Sequence, residues 1–230
     1  MSDFRRYAIY HLPDEPDLAK FGARWLGWDV RAGRETALFD VDGLERVTDS
    51  PRRYGFHGTL KPPFRLTEGT TSGDLVAHLN RFASETPAVH AGPLRLARLG
   101  HFLALVPAGH TDSLHRLAFD IVQEFDRYRR PSTDAELDRR RTKGLTDRQE
   151  AYLARWGYPY VGEDFRFHYT LTSRLSETDL STFEHAASEL LPKLPDRLSL
   201  RSVALLGEDD NGNFHLVQHV PLTGMPKTSS

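Results

Sequence analysis

The chain has 230 residues, of which 39% are hydrophobic and 27% charged, a balance typical of a soluble globular protein with a substantial core. It contains no cysteine, which excludes disulfides, thiolate catalysis and cysteine metal sites, and its net charge of −2 favours neither nucleic acid nor a membrane surface. No apolar run approaches the roughly 20 residues that cross a bilayer, so we expect a cytoplasmic protein with no membrane partner.

The first half of the chain predicts strands alternating with amphipathic helices. We predict in order a strand at 6–12, a helix at 17–28, a strand around His57, a helix at 72–84, a hairpin at 94–99 and 102–106, and a helix at 111–128. Residues 29–52 are rich in Asp, Gly and Arg and give no clear pattern.

The second half repeats the order of His strand, helix and hairpin after an insertion. Residues 129–157 predict an inserted helical hairpin, with Thr133 capping one helix and Thr146 with Gln149 forming a capping box for the other. The remaining elements are a strand around His168, a helix at 177–191, and a hairpin at 198–206 and 213–220. We therefore predict an α+β fold of two similar lobes with antiparallel sheets around a central cleft, each lobe giving one His-x-Thr strand, in a single bilobal domain at 1–226. We expect a disordered tail at 227–230.

Two short strings of the same kind mark the two halves: His57-Gly58-Thr59-Leu60 and His168-Tyr169-Thr170-Leu171. Residues two apart in a strand face the same side, so each string presents a His and a Thr together. The opposite side of the second strand is apolar, with Phe165, Phe167, Tyr169 and Leu171. A strand that buries one side and directs His and Thr from the other would form the floor of a polar cleft.

Two imidazoles and two hydroxyls suit displacement at a phosphodiester. One imidazole can deprotonate the attacking water while the other protonates the leaving oxygen, and the hydroxyls can bind the non-bridging oxygens. A cyclic phosphodiester fits best, since ring opening needs one attacking and one leaving oxygen on opposite sides of phosphorus. This chemistry requires no metal and no cofactor, and we predict neither.

The paired strings resemble the signature of the 2H phosphoesterase superfamily, which includes 2′-5′ RNA ligase-like proteins and cyclic phosphodiesterases. The resemblance implies that His57 and His168 are the catalytic acid and base, in an order left open, and that Thr59 and Thr170 bind phosphate. The longer string around His57, from Tyr54 to Phe64, resembles a bacterial branch encoded with phosphonate-degradation genes. That branch implies a small cyclic phosphate such as a ribosyl 1,2-cyclic phosphate.

Other charged and aromatic residues have two interpretations each. Lys61, Arg166 and Arg174 lie on the predicted histidine faces and could bind substrate, or they could be solvated charges. Tyr10 could reach the cleft or pack in the core. The arginines of the insertion could form solvated helices, or a lid that brings an arginine to a second phosphate.

Two further functions stay open at this point. One is processing of RNA with 2′,3′-cyclic or 2′-5′ ends, which would favour a basic surface that the composition does not indicate. The other is a nucleotide-binding module without turnover, which the intact His and Thr pairs disfavour. We expect a monomer whose partner is a small cyclic phosphate.

Overall fold

The computed structural model describes residues 4–142 and 144–226. The helices are α1 (Pro16–Leu26), α2 (Leu44–Arg52), α3 (Ser72–Glu85), α4 (Asp112–Glu124), α5 (Asp134–Arg141), α6 (Asp147–Trp156) and α7 (Glu177–Leu190). The strands are β1 (Arg6–His11), β2 (Trp28–Asp29), β3 (Arg34–Glu35), β4 (Gly58–Phe64), β5 (Val89–Ala91), β6 (Leu94–Leu99), β7 (Phe102–Pro107), β8 (Tyr169–Thr170), β9 (Leu198–Leu200), β10 (Ser202–Glu208) and β11 (Phe214–Pro221). The predicted tail at 227–230 lies outside the described residues.

A seven-stranded sheet with the order β11-β10-β1-β4-β8-β7-β6 forms the centre of the molecule, and its strand pairs are antiparallel. This confirms the predicted α+β class. The two His strings meet at the middle of the sheet, because β4 pairs with β8 through Gly58 and Tyr169. The hairpins lie on either side of this junction.

Each of the two hairpins lies on the side of the sheet that holds the His string of the other half of the sequence. The β6–β7 hairpin follows the His57 strand along the chain, yet β7 pairs with β8 of the second string. The β10–β11 hairpin follows the His168 strand, yet β10 pairs with β1, next to β4. Each half of the sheet is therefore built from both halves of the sequence, which the repeat alone does not reveal.

The apolar residues of the sheet and helices form one large core and two small clusters. The large core includes Ile9, Trp25 and Tyr169. The two small clusters lie apart from it, one around Tyr10 and one around Ala104. Because Thr59 pairs with Tyr10 and Thr170 with Ala104, each cluster borders one of the two strings.

The boundaries of the insertion follow from its caps. The side chains of Thr133 and Thr146 each accept a hydrogen bond from the backbone three residues on, and Glu136 and Gln149 bond back, so both capping boxes are present. The two predicted helices of the insertion are confirmed.

Three elements differ from the sequence prediction. Helix α2 begins after Gly43, whose φ is 74°, and has no side-chain cap, so the usual start signal is missing. The strand predicted at 198–206 is divided, since β9 pairs with β5 in a separate small sheet. Around His168 only two residues are in strand conformation. In the described part of the chain, no helix is long and apolar enough to cross a membrane.

Candidate active site

The pairing of β4 with β8 brings the two His strings next to each other. Gly58 pairs with Tyr169 in an antiparallel ladder. Extending that register by one residue each way sets His57 opposite Thr170 and Thr59 opposite His168. Residues opposite each other have Cβ atoms about 4.5–5.5 Å apart, and diagonal neighbours are about 7–8 Å apart. On this register the two histidines would be diagonal neighbours.

Both imidazoles are oriented by the same local hydrogen bond. His57 Nδ1 lies 2.8 Å from the carbonyl oxygen of Gly55, and His168 Nδ1 lies 2.7 Å from that of Arg166. A carbonyl oxygen only accepts, so Nδ1 carries the proton in both rings. In each neutral ring Nε2 is therefore the atom that can take up a proton, and proton exchange with a substrate would occur there.

The Nε2 of His57 is 3.0 Å from Thr59 Oγ1, so the hydroxyl and the imidazole of the first string are in direct contact. Burial of the ring lowers the pKa of His57 to about 4, the Gly55 carbonyl opposes this shift, and His168 adds to it. Burial also lowers the pKa of His168, opposed by the Arg166 carbonyl. The electrostatic effect of His168 on His57 agrees with the short diagonal separation.

Tyr10 packs against one side of the His57 ring. The two rings stack with centroids 3.7 Å apart and planes 18° apart, and Tyr10 itself is buried. Tyr10 was predicted as a candidate substrate contact, but its position makes it a positioning residue for His57. Phe102 contacts the ring of the second histidine, His168, at a centroid distance of 5.7 Å.

A glycine is needed between His57 and Thr59 for steric reasons. A Cβ atom built on Gly58 would overlap the Phe167 ring, far inside van der Waals contact. The Phe167 side chain belongs to the large core, so it cannot move away freely. The close approach of β4 and β8 at the site therefore depends on this glycine.

A cavity of about 570 Å³ opens beside the junction. Thr59 and His168 are part of its lining, whereas His57 and Thr170 are not, and His57 contacts the lining residue Thr59 through the hydroxyl of that residue. Aromatic side chains form much of the remaining wall, and they are Phe102, Phe119, Phe165, Tyr158 and Tyr160. The cavity is thus polar at the histidine junction and largely apolar elsewhere.

Lys61 is directed away from this cavity, contrary to the predicted orientation. The register of β1 and β4 shifts between Ile9 and Tyr10, so Lys61 pairs with Ile9 on the core side instead of following Thr59. The side chain is 2% exposed, and its Nζ donates to the Val122 carbonyl at 3.0 Å. A substrate contact through Lys61 is not supported by this geometry.

The other predicted cations have different positions. Arg166 lines the cavity, and its guanidinium donates to the carbonyls of Glu163 and Phe165, so it stays a predicted substrate contact. Arg174 is exposed and is not part of the lining of this cavity. Thr172, which alternates with Thr170 and Arg174 in the sequence, is buried and accepts from the Leu103 amide.

Sequence reasoning missed the aromatic residues Tyr158 and Tyr160, which line the cavity from the loop after α6. They come from a segment without strand or helix periodicity, so no spacing could have placed them. Within residues 4–142 and 144–226, no group of three or more His, Asp and Glu side chains is arranged to hold a metal ion.

Comparison with protein families gives one match. Residues 59–215 match the family described as protein of unknown function (DUF1045), a range that includes Thr59, His168 and Thr170. Among curated proteins, the chain is 41% identical to a ribose 1,5-bisphosphate phosphokinase PhnN from Janthinobacterium sp. (strain Marseille) over 98% of its own length and 52% of that protein. It is 36% identical to the PhnN of Laribacter hongkongensis (strain HLHK9) over 77% of the chain and 42% of that protein. The chain thus spans about half the length of these relatives.

Comparison with solved structures gives matches over nearly the whole chain at low identity. TT0787 of Thermus thermophilus matches with a TM-score of 0.46 and 14% identity, covering 96% of this chain and 100% of that protein. E. coli LigT, solved in complex with 3'-AMP, matches with a TM-score of 0.45 and 15% identity, covering 96% and 99%.

Proposed function

Since the chain belongs to the family described as protein of unknown function (DUF1045), we propose its activity from its own site: metal-independent hydrolysis of a small cyclic phosphodiester by paired histidines. The observation that supports this most strongly is the antiparallel pairing of Gly58 with Tyr169, from which we infer that two His and two Thr side chains surround the phosphate. We propose that the protein is a monomeric cytoplasmic enzyme of 2H phosphoesterase type, formed as one bilobal domain at 1–226.

The proposed reaction is an in-line displacement at phosphorus. A water molecule gives one proton to the Nε2 of one histidine as its oxygen bonds to phosphorus. The ring P–O bond on the opposite side breaks, and the leaving oxygen takes a proton from the Nε2 of the other histidine. The hydroxyls of Thr59 and Thr170 donate to the non-bridging oxygens, where negative charge develops. The product is a phosphomonoester next to a free hydroxyl.

The two histidines can be assigned different parts in this reaction. Burial keeps His57 neutral at pH 7, with a pKa of about 4 and Nδ1 already protonated. Its Nε2 accepts from the Thr59 hydroxyl in the free protein, and it can take the proton of water when that hydroxyl donates to the phosphate instead. We therefore assign His57 as the base and His168 as the acid. The pKa of His168 is lowered in the free protein, but an anionic phosphate beside the ring favours the imidazolium, so substrate binding would charge it.

The size of the cavity and the names of the relatives both favour a small sugar phosphate. A volume of about 570 Å³ lies in the range of small-molecule sites. Opening a ribosyl 1,2-cyclic phosphate at O2 leaves a phosphate on C1, which is one of the two phosphates in the ribose 1,5-bisphosphate named for the relatives. The proposed role is therefore in phosphonate breakdown, with a ribosyl 1,2-cyclic phosphate as the substrate.

One observation favours a second candidate function, the opening of 2′,3′-cyclic phosphates on nucleotides or RNA ends. The aromatic wall made by Phe102, Phe119 and Tyr160 offers surfaces on which a nucleobase could stack. A module that binds nucleotides without turnover would use the same wall.

A panel of cyclic phosphates separates these candidates. Purified protein is incubated with ribosyl 1,2-cyclic phosphate, nucleoside 2′,3′-cyclic phosphates and RNA with a cyclic end, with and without EDTA, and phosphorus NMR follows ring opening. We expect the ribosyl substrate to be opened fastest and EDTA to leave the rate unchanged. Preference for RNA ends would overturn the substrate assignment, and loss of activity in EDTA would overturn the metal-independent mechanism.

The pH dependence should reflect the lowered pKa values of both histidines. We expect kcat/KM to be bell-shaped, with its maximum on the acid side of pH 6.5, because this parameter reports the free enzyme. It falls toward about pH 4 as His57 becomes protonated, and it falls at higher pH as His168 loses its proton. The alkaline limb of kcat should lie at higher pH, since the bound anion stabilises the charged His168. A kcat/KM maximum above about pH 7 would contradict this assignment of the two histidines.

A further inference from the structure

A second cavity, of about 430 Å³, adjoins the one described above. Tyr158 and Tyr160 line both cavities, so the two share a wall. The second cavity lies between the end of β4, at Phe64 and Arg65, the inserted helix α5, and the loops before α5 and after α6. We call it the arginine cavity, because its lining includes Arg6, Arg65, Arg129, Arg130, Arg139 and Arg140.

The charge of this lining is strongly unbalanced. Six arginines face a single carboxylate, Glu136, although the whole chain carries a net charge of −2. Glu136 is already used as a helix cap: it bonds to the Thr133 amide, and this bond is the main reason its pKa is lowered, with smaller contributions from the charges of Arg130 and Arg65. The cavity therefore carries an excess of positive charge.

Five of the six arginines divide into paired and unpaired groups, and the sixth, Arg140, lies over the ring of Tyr158. Arg6 is held by the Glu208 carboxylate and Arg129 by Asp126, so both are neutralised within the protein. In the described part of the chain, the side chains of Arg65, Arg130 and Arg139 form no hydrogen bond or ion pair. The unpaired group of Arg65, Arg130 and Arg139 is thus available to an anion.

The backbone holds two of the unpaired arginines next to each other. The Arg130 amide donates to the Arg65 carbonyl at 2.8 Å, and Leu66 forms an isolated β-bridge with Arg129. Two guanidinium groups carried on backbones fixed in this way need less ordering to bind one anion than groups on free loops.

A series of neighbouring side chains leads from the arginine cavity to the histidines. Arg140 lies over the Tyr158 ring, 5.1 Å from its centroid. Tyr158 is close enough to Tyr10 to contribute to the raised pKa of Tyr10, which burial dominates. Tyr10 in turn stacks on His57. Because Tyr158 and Tyr160 line both cavities, a substrate bound at the histidines could extend past Tyr158 to the arginines.

We infer that the arginine cavity binds a second, phosphomonoester group of the same substrate whose cyclic phosphate lies between His57 and His168. This inference rests on the proposed function. A phosphomonoester is a dianion with three accepting oxygens, and planar guanidinium groups bind such a group with paired hydrogen bonds. The substrate class is then a sugar that carries a cyclic phosphate at one end and a phosphomonoester at the other.

The test compares two substrates that differ only in the second phosphate, ribosyl 1,2-cyclic phosphate with and without a 5-phosphate. The double variant Arg65→Gln/Arg130→Gln removes two unpaired charges, and Arg197→Gln is the matched control, since Arg197 is exposed and lies outside the cavity. For the wild type and the control, we expect kcat/KM to be about 10²-fold higher for the 5-phosphorylated substrate. In the double variant the ratio should fall to within about threefold, with little change for the unphosphorylated substrate. An equal ratio in the wild type and the double variant would overturn the inference.

Binding measurements keep the inference testable if neither substrate is hydrolysed, an outcome that would defeat the proposed function. Ribose 5-phosphate and inorganic phosphate are titrated by calorimetry into the wild type, the double variant and Arg197→Gln. Binding of ribose 5-phosphate that is weaker by about tenfold or more in the double variant alone would support the phosphomonoester site. Equal binding to all three proteins would overturn it. Inorganic phosphate bound as tightly as ribose 5-phosphate, without competition between them, would indicate a separate anion site and would also overturn it.

Discussion

Replacing either His57 or His168 by Asn is expected to lower kcat for cyclic phosphate opening by about 10²- to 10⁴-fold. An Asn side chain retains an N–H donor near the position of Nδ1, so it can still reach the carbonyl of Gly55 or Arg166. It lacks an atom at Nε2, where the proposed proton transfers occur. Steady-state kinetics on the best substrate of the panel measures the loss, and thermal unfolding checks that the fold is intact.

The control for this experiment is His185→Asn, because His185 is exposed on α7 and lies outside both strings. It should leave kcat unchanged. The double variant of His57 and His168 should lose little more than either single variant, since the base and the acid act in one step. Thr59→Val and Thr170→Val should lower kcat less than the histidine variants do, because each removes one hydrogen bond to phosphate and no proton transfer. Full activity in the double histidine variant would disprove the proposed mechanism.

The parts of the site that the sequence predicts are those that depend on strand alternation alone. His57 with Thr59 and His168 with Thr170 are each two residues apart, and apolar neighbours supply the buried side of the second strand. The hydrogen bond from each Nδ1 to the carbonyl two residues earlier is equally local. Such features follow from a few neighbouring residues, so the sequence is sufficient to predict that each pair shares one side of its strand.

Lys61 shows where strand alternation fails. Because side chains alternate along a strand, Lys61 is predicted on the same side as His57 and Thr59. The irregular register opposite Ile9 and Tyr10 instead turns its side chain to the core. There it bonds the Val122 carbonyl, and Asp126 lies 3.5 Å from its Nζ. A bulge depends on pairing with a strand about 50 residues away, and nothing near Lys61 in the sequence marks it.

The exchanged hairpins and the arginine cavity could not be predicted from the sequence for a similar reason. The repeat of His strand, helix and hairpin suggests that each hairpin joins its own His strand, whereas β7 pairs with β8 and β10 with β1. The arginine cavity combines Arg65 at the end of β4 with Arg130, through a backbone bond between residues far apart in the chain. Pairings over such distances are decided by the whole core rather than by local patterns.

Gly58→Ala is the second change for which we expect a large effect, although it adds one methyl group away from the proposed chemistry. The new Cβ atom would overlap Cζ of Phe167 and lie 2.5 Å from its Cε2, so the ring or the β4–β8 pairing must shift. Overpacking of this kind costs about 1–3 kcal/mol of unfolding free energy. Because the same residue pair sets the spacing of the two histidines, a displacement of about 1 Å should also lower kcat/KM by about 10²-fold.

The double variant Gly58→Ala/Phe167→Leu distinguishes this steric cause from a general intolerance of the position. Leu lacks the outer ring atoms that the added methyl would meet, so the double variant should recover a large part of both stability and activity. Phe167→Leu alone should destabilise the core modestly and leave the histidine spacing intact. Denaturant unfolding and kinetics on the four proteins give the coupling free energy between the two positions. We expect this coupling to be favourable in both measurements, because the stability of β4–β8 pairing and the placement of the histidines depend on the same contact. Additive losses would show that Gly58 is required for another reason, such as direct access of the substrate to the backbone.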